Sequence, residues 1–199
     1  MACTGYEVKF NSGLTTRNIW LDKSTGEQKD FSTYLDLNPD KYIGKTCLHV
    51  GTGNSSIARN HHNKFKRIDG ISIDPGEVSL ANNLMIPNYT CYLINKHKLE
   101  ELSVLGEYDV IIDNNIKSYM CCGAHYMDYF DWILDSVASR NGEIITHILG
   151  YACFFKNTPN SLDNREIDNI AKRVQYTTNQ RMYGTELSQI VFIKPINPT

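Results

Sequence analysis

From Thr46 onward, short apolar runs alternate with stretches whose apolar residues recur every three or four positions, a pattern that few folds accommodate. "TCLHV" (46–50) reads as a buried strand, and the glycine-rich turn after it leads into "SSIARNHHNKF", whose serines suit a helix cap. "IDGISID" (68–74) is a second strand closed by Pro75-Gly76, and "EVSLANNLM" a helix ending before Pro87. "YTCYLI" (89–94), the short turn "KLEEL" and the near-continuous apolar run "YDVIID" (108–113) continue the alternation. The apolar residues at 126, 129, 130, 133, 134 and 137 line one helix face, and "EIITHIL" follows Asn141-Gly142 as a fifth strand. Such an order predicts an α/β fold, a doubly wound parallel sheet with helices on both faces. The end of the chain differs: "LDNREIDNIAKRV" is helical, and "QYTTNQRMY" and "SQIVFIKPI" flank Gly184 as a hairpin. The expectation is therefore a seven-stranded mixed sheet whose last strand is antiparallel. Before residue 45 the pattern is weaker, with "NIWLDKSTGEQKDF" reading as a hairpin turning at Ser24 to Gly26 and "STYLDLNPDKYIGK" as a short helix with a loop.

A length of 199 residues allows one sizeable core and too little chain for two ordinary α/β domains. We therefore divide it into an extension over 1–44 and a domain over 45–199. With 41% hydrophobic residues, 21% charged residues and a formal net charge of -2, nothing in the overall balance attracts nucleic acid. No apolar run approaches the ~20 residues that span a bilayer, and "MACTGYEVKF" lacks the pattern of a signal peptide, so a cytoplasmic protein with no membrane partner is expected. The six cysteines, at 3, 47, 91, 121, 122 and 153, form no C-x-x-C pair, and Cys47 and Cys91 lie in strand-like runs as small hydrophobes. Cys121 and Cys122 have no third ligand at metal spacing.

The turn "HVGTGNS" has the spacing Gly51-x-Gly53-x-x-Ser56, a dinucleotide pattern without its third glycine. Its position after the first strand is where open α/β sheets bind ligands. Asp74 follows Gly51 by 23 residues, a spacing at which a carboxylate can accept hydrogen bonds from ribose hydroxyls. It is equally suited to the turn before Pro75-Gly76.

Over residues 42 to 196 the chain resembles the class I S-adenosylmethionine-dependent methyltransferases. "HVGTGNS" is similar to the first motif of that family, "GISIDPG" to its acidic ribose turn, "YDVIID" to its fourth strand, and the late helix and hairpin to its sixth and seventh strands. The resemblance implies a Rossmann-like fold with S-adenosylmethionine as cofactor. It further implies that Gly51, Thr52, Gly53 and Asn54 approach the methionine part, that Asp74 holds the ribose, that Asn95 faces the adenine, and that Asp113 closes the site. Two positions depart from the family: His49 stands where a carboxylate usually precedes the first glycine, and "INKHKLEEL" carries Asn95 where an Asp is common.

Methyl transfer needs alignment and, for an oxygen or nitrogen acceptor, a base. Asp113, Asn114, Asn115, Lys117, Tyr119 and His125 follow the fourth strand, without the N-P-P-Y or D-P-P-Y pattern of enzymes that methylate nucleic-acid bases. A small-molecule acceptor is thus expected, with nucleic acid disfavoured. His125 and Asp113 are the catalytic candidates. His147, inside a strand, is read as a core residue, His61 and His62 as lying on the solvated side of the first helix, and His97 as bordering the adenine pocket. Trp20, Tyr34, Tyr42, Tyr119, Tyr126 and Tyr151 could line an acceptor pocket, though tyrosines at helix spacing are mostly core. A metal site with Asp113 and His147 would have one clear carboxylate, too few for a Mg²⁺-type cation. The expected activity is methyl transfer to a small-molecule oxygen or nitrogen, with residues 1–44 as a lid on the acceptor side. The alternatives are a regulatory S-adenosylmethionine-binding protein, motivated by His49, and an NAD-dependent oxidoreductase, disfavoured by Ser56 and the closing hairpin.

Overall fold

The computed structural model describes residues 23–114, 116, 123–147, 164–183 and 186–196. Seven strands form one sheet: β1 (Lys45–Val50), β2 (Phe65–Ser72), β3 (Tyr89–Leu93), β4 (Val110–Asp113), β5 (Glu143–His147), β6 (Val174–Tyr183) and β7 (Glu186–Pro195). Their order is β3-β2-β1-β4-β5-β7-β6. β1 to β5 are parallel, and β7 runs antiparallel to both β5 and β6. The chain winds outward through β2 and β3 on one side of β1 and through β4 and β5 on the other. The order therefore reverses between β1 and β4, which leaves a crevice above their carboxyl ends.

Period-2 alternation sends the strand side chains to two separate cores. Leu48, Val50, Ile111, Ile144, Val191 and Ile193 pack beneath α5 (Gly123–Ala138), whose Tyr126, Tyr129, Phe130, Ile133, Leu134 and Val137 form the buried stripe expected from their spacing. Leu102 of α4 (Leu99–Leu102) and Ile170 of α6 (Asn164–Ala171) complete this layer. On the opposite face Cys47, Ile68, Val110, Ile112, Ile145 and Phe192 meet α1 (Gly26–Leu37), α2 (Ser56–His61) and α3 (Pro75–Asn83). Cys47 and Cys91 are buried in their strands as expected, and burial pushes both thiols above their ordinary range.

The expected hairpin turning at Ser24 to Gly26 is instead the start of a helix. Thr25 caps α1: its hydroxyl accepts from Gln28 N at 3.2 Å, while Gln28 Oε1 accepts from Thr25 N at 3.0 Å. This reciprocal pair satisfies two amide groups that a helix start would leave unpaired. Phe31, Tyr34 and Leu35 then bury the helix in the core, so the segment from Gly26 is part of the folded layer. The helix after the glycine turn stops at His61, followed by a single 3-10 turn at His62–Lys64, and β2 begins earlier than expected, at Phe65. His61, expected on the solvated side, is buried between α1 and α2, with Nε2 2.7 Å from Ser32 Oγ. The two-strand ending is present, with Tyr183 paired to Glu186 across Gly184 and Thr185. Trp20, Tyr119, Tyr151, Cys3, Cys121, Cys122 and Cys153 lie outside the described residues. Tyr34, Tyr42 and Tyr126 are core residues.

Candidate functional site

The glycine turn leaves β1 at the crevice. Gly51 (φ 71°) and Gly53 (φ 52°) adopt left-handed backbone, where a Cβ is costly. Gly51 N donates to Ile71 O at 2.9 Å and Ser55 N to Thr52 O at 2.8 Å, which folds the turn back against β2. Thr52 and Asn54 hold the turn from within: Thr52 is fully buried with Oγ1 3.7 Å from Cys91 Sγ, and Asn54 Oδ1 accepts from Ser56 N at 3.1 Å. Gly70 permits this packing, since a Cβ there would lie 2.7 Å from Thr52 Cγ2. Beside Gly51, none of the described residues comes within 4 Å of where a Cβ would stand. α1 is tied to the same turn by Gln28 Nε2, which donates to Thr52 O at 3.4 Å.

β2 ends at Ser72, two residues before Asp74. Asp74 is the N-cap of α3, its Oδ1 accepting from Gly76 N at 2.6 Å and Glu77 N at 3.4 Å. Asp74→Ala is therefore expected to lower stability by about 1 kcal/mol through loss of the cap, read as a drop of several degrees in melting temperature. The carboxylate that reaches the glycine turn belongs to Glu77, whose Oε2 accepts from Ser72 Oγ at 2.6 Å and from Gly53 N at 3.2 Å. The sequence carries a signal for this residue: in "DPGE" a glutamate stands three positions after the cap, the place from which a capping-box side chain reaches back. Here Ser72 Oγ already accepts from Asp74 N at 3.0 Å, and Glu77 turns instead toward β1.

Asp113 ends β4 in a buried cluster. Its Oδ2 accepts from Lys96 Nζ at 3.0 Å and from Tyr129 OH at 2.8 Å, and Lys96 Nζ also sits 5.2 Å from the centre of the Tyr129 ring. Burial and the adjacent carboxylate push the Tyr129 hydroxyl far above its ordinary range. His97, also buried, sets its ring edge-on to Tyr129 with centroids 5.6 Å apart. Asn95 organises the segment after β3, with Oδ1 accepting from His97 N at 3.0 Å and its own N donating to Glu101 Oε2 at 2.7 Å.

The histidines fall into three settings. His125 is the third residue of α5 and is half-buried at the carboxyl end of the sheet. His147 closes β5, buried as expected, with Nε2 3.6 Å from Asp30 Oδ2 of α1. Since Ile112 pairs with Ile145, alternation sends Asp113 and His147 to opposite faces of the sheet. The ammonium of Lys96 supplies the positive charge beside Asp113 that a metal would bring. His49 is 0% exposed, and neither ring nitrogen has a hydrogen-bond partner among the described residues. Burial lowers its pKa to about 4 against a weaker opposing pull from Asp113, so the ring is neutral near pH 7.

The chain's similarity to known proteins lies in structure. No protein-family model matches it, and no curated protein matches it in sequence. Among solved structures it is similar to the N-methyltransferase NodS from Bradyrhizobium japonicum WM9 in complex with S-adenosylhomocysteine, at TM-score 0.64 and 11% identity, over 90% of this chain and 96% of that one. It is also similar to a putative O-methyltransferase from Klebsiella pneumoniae, at TM-score 0.55 and 18% identity, over 92% and 90% of the two chains. An rRNA methylase from Streptococcus thermophilus superposes at TM-score 0.55 and 12% identity, over 87% and 100%. The chain has the class I methyltransferase fold. Its glycine turn, β2 end and antiparallel β7 thus occupy the places the sequence resemblance implied. Within this methyltransferase fold, and among the described residues, no helix is long and apolar enough to cross a membrane.

Proposed function

We propose that the protein binds S-adenosylmethionine above the carboxyl ends of β1, β2 and β4 and transfers its methyl group to an oxygen or nitrogen of a small molecule. The observation that carries this reading is the glycine turn at the sheet's switch point, with the Glu77 carboxylate fastened to its backbone. The residues suit the cofactor. Among the described residues space is open beside Gly51, the left-handed backbone at Gly51 and Gly53 brings the chain close without side chains, and the Glu77 carboxylate is bound by Ser72 at the end of β2. When bound, the cofactor supplies an electrophilic methyl group on a sulfonium. In this reading Gly51 and Gly53 contact the methionine part, Thr52 and Asn54 fix the turn, and Asn95 borders the adenine. Asp113 holds Lys96 and Tyr129 beneath the site. His125, at the start of α5, takes the proton from the acceptor.

The small-molecule acceptor is supported by the net charge of -2 and by "IIDNN" (111–115) across the end of β4, which lacks the pattern of base-methylating enzymes. Residues 1–44 would select that acceptor, with α1 already seated against the glycine turn through Gln28. A regulatory reading draws on His49, buried and neutral at a position where the family it resembles places a carboxylate. Calorimetric titration with S-adenosylmethionine, S-adenosylhomocysteine and NAD tests both. Binding of the first two without NAD is expected, and binding of NAD alone would sink the proposal. S-adenosylmethionine binding with no methyl transfer to a panel of phenols, carboxylates and amines would favour regulation. Methyl transfer to RNA with none to the panel would overturn the acceptor class.

A further inference from the structure

At the end of the sheet opposite the crevice, where β5 opens at Glu143 and β7 closes, the Lys41 ammonium sits among three rings and a carboxylate. Its Nζ lies 5.4 Å from the centre of the Tyr34 ring, 5.0 Å from that of Tyr42 and 4.8 Å from that of Phe192. It also donates to Tyr34 OH at 3.0 Å and stands 2.6 Å from Glu143 Oε1. Several aromatic rings and an acid around one nitrogen are the chemistry that recognises alkylated ammonium groups. We propose that Tyr34, Tyr42, Phe192 and Glu143 form a second binding site, for a methylated amine that keeps an N–H, and that Lys41 is its resting occupant.

The walls hold their places without Lys41. Tyr42 OH donates to Glu143 Oε1 at 2.6 Å, Tyr34 and Phe192 rest against each other with centroids 4.9 Å apart, and Tyr42 stacks on Phe65 at 5.8 Å. All three rings belong to the core on this face of the sheet. Lys41 comes from the turn between α1 and β1 with its side chain 37% exposed, so it can swing out without unfolding an element. Its departure takes from the buried Glu143 its nearest cation, since Lys194 Nζ stands farther away, at 3.9 Å. A buried carboxylate left with a distant counter-ion is costly, which selects a charged ligand over a neutral one. Burial opposes the charge on Lys41, yet the hydrogen bonds to Glu143 and Tyr34 outweigh it and raise the pKa, so the pocket already favours the cation over the free amine. A dimethylammonium group suits it best: one N–H takes the place of Lys41 on Glu143, while the methyl groups meet the rings and give up less hydration than further N–H groups would.

The test uses the full chain and three probes, the amides of N-acetyl-lysine with an unmodified, a dimethylated or a trimethylated side chain, followed by calorimetry and thermal melting. In Lys41→Ala, which empties the pocket, the dimethylated probe should bind saturably and raise the melting temperature. The parent should bind it about tenfold or more weakly, because the tethered Lys41 competes at an effective concentration on the order of millimolar. Against Lys41→Ala the unmodified probe should be about tenfold weaker than the dimethylated one. The trimethylated probe, with no N–H for Glu143, should also be weaker. Adding Phe192→Leu removes the nearest ring and should cost the dimethylated probe about tenfold in affinity. Lys41→Gln, which keeps the stem and loses the charge, repeats the titrations if Lys41→Ala does not fold. If no probe binds the folded variant, the proposal is overturned and Lys41 is a structural ion pair alone. An unmodified probe that binds as tightly as the dimethylated one overturns the ligand class, and a trimethylated probe that binds as tightly overturns the place of Glu143 on an N–H.

Discussion

Lys96→Met is expected to lower the unfolding free energy by about 3 to 5 kcal/mol, the cost of leaving a buried charge without its counter-ion. Asp113 is 2% exposed, and the Lys96 ammonium 3.0 Å away supplies the opposite charge. Methionine preserves the apolar stem and removes the Lys96 charge, while the Tyr129 hydroxyl still donates to the carboxylate. The loss should appear as a lower urea midpoint with an unchanged m-value, because the same surface is exposed on unfolding. Adding Asp113→Asn to the variant should recover most of the stability, since an amide oxygen still accepts from Tyr129 and carries no charge. A single variant as stable as the parent would mean that the pair contributes little. A double variant no better than the single would mean that Lys96 acts through packing on Tyr129.

The second large effect is a loss of stability in mild acid. His49 has a folded pKa of about 4 and an ordinary unfolded value near 6.5, so between these values the unfolded chain binds the extra proton. Stability therefore rises with pH through this window and falls as pH is lowered through it, levelling off below 4 where both states are protonated. Two to three pKa units correspond to about 3 kcal/mol. His61, also lowered by burial, adds to the same slope, while the charge of Asp36 opposes it. His49→Leu should flatten much of the dependence measured by urea titration from pH 7 to pH 4, leaving the share due to His61. A parent whose stability is constant over that range would place His49 in contact with water or with a hydrogen-bond acceptor that holds the protonated ring.

The element order and the main core faces were legible because their causes are local. A strand's period of two and a helix's period of 3.6 are written within a dozen residues, and "VIID", "EIITH" and the α5 stripe state them without ambiguity. The start of α1 was written too, in Thr25-x-x-Gln28, but the turn-forming Ser24, Thr25 and Gly26 argue for a hairpin until Phe31 and Leu35 find the sheet. For such a segment, burial of one helix face outweighs the local turn preference.

The sequence by itself determined the alternation of strands and helices, the closing hairpin and the place of the glycine turn, since each depends on neighbours along the chain. Only the tertiary structure decided which polar groups meet. Glu77 reaches Gly53 from 24 residues away, Lys96 reaches Asp113 from 17, and His61 finds Ser32 from 29. Asp74 reads in the sequence as a ribose acid or as a turn residue before Pro75-Gly76, and only the fold shows that it caps α3. The physical reason is that a hydrogen bond needs two atoms within about 3 Å. At these separations only the packed sheet brings them there, because burial charges a heavy cost for every polar group left without a partner.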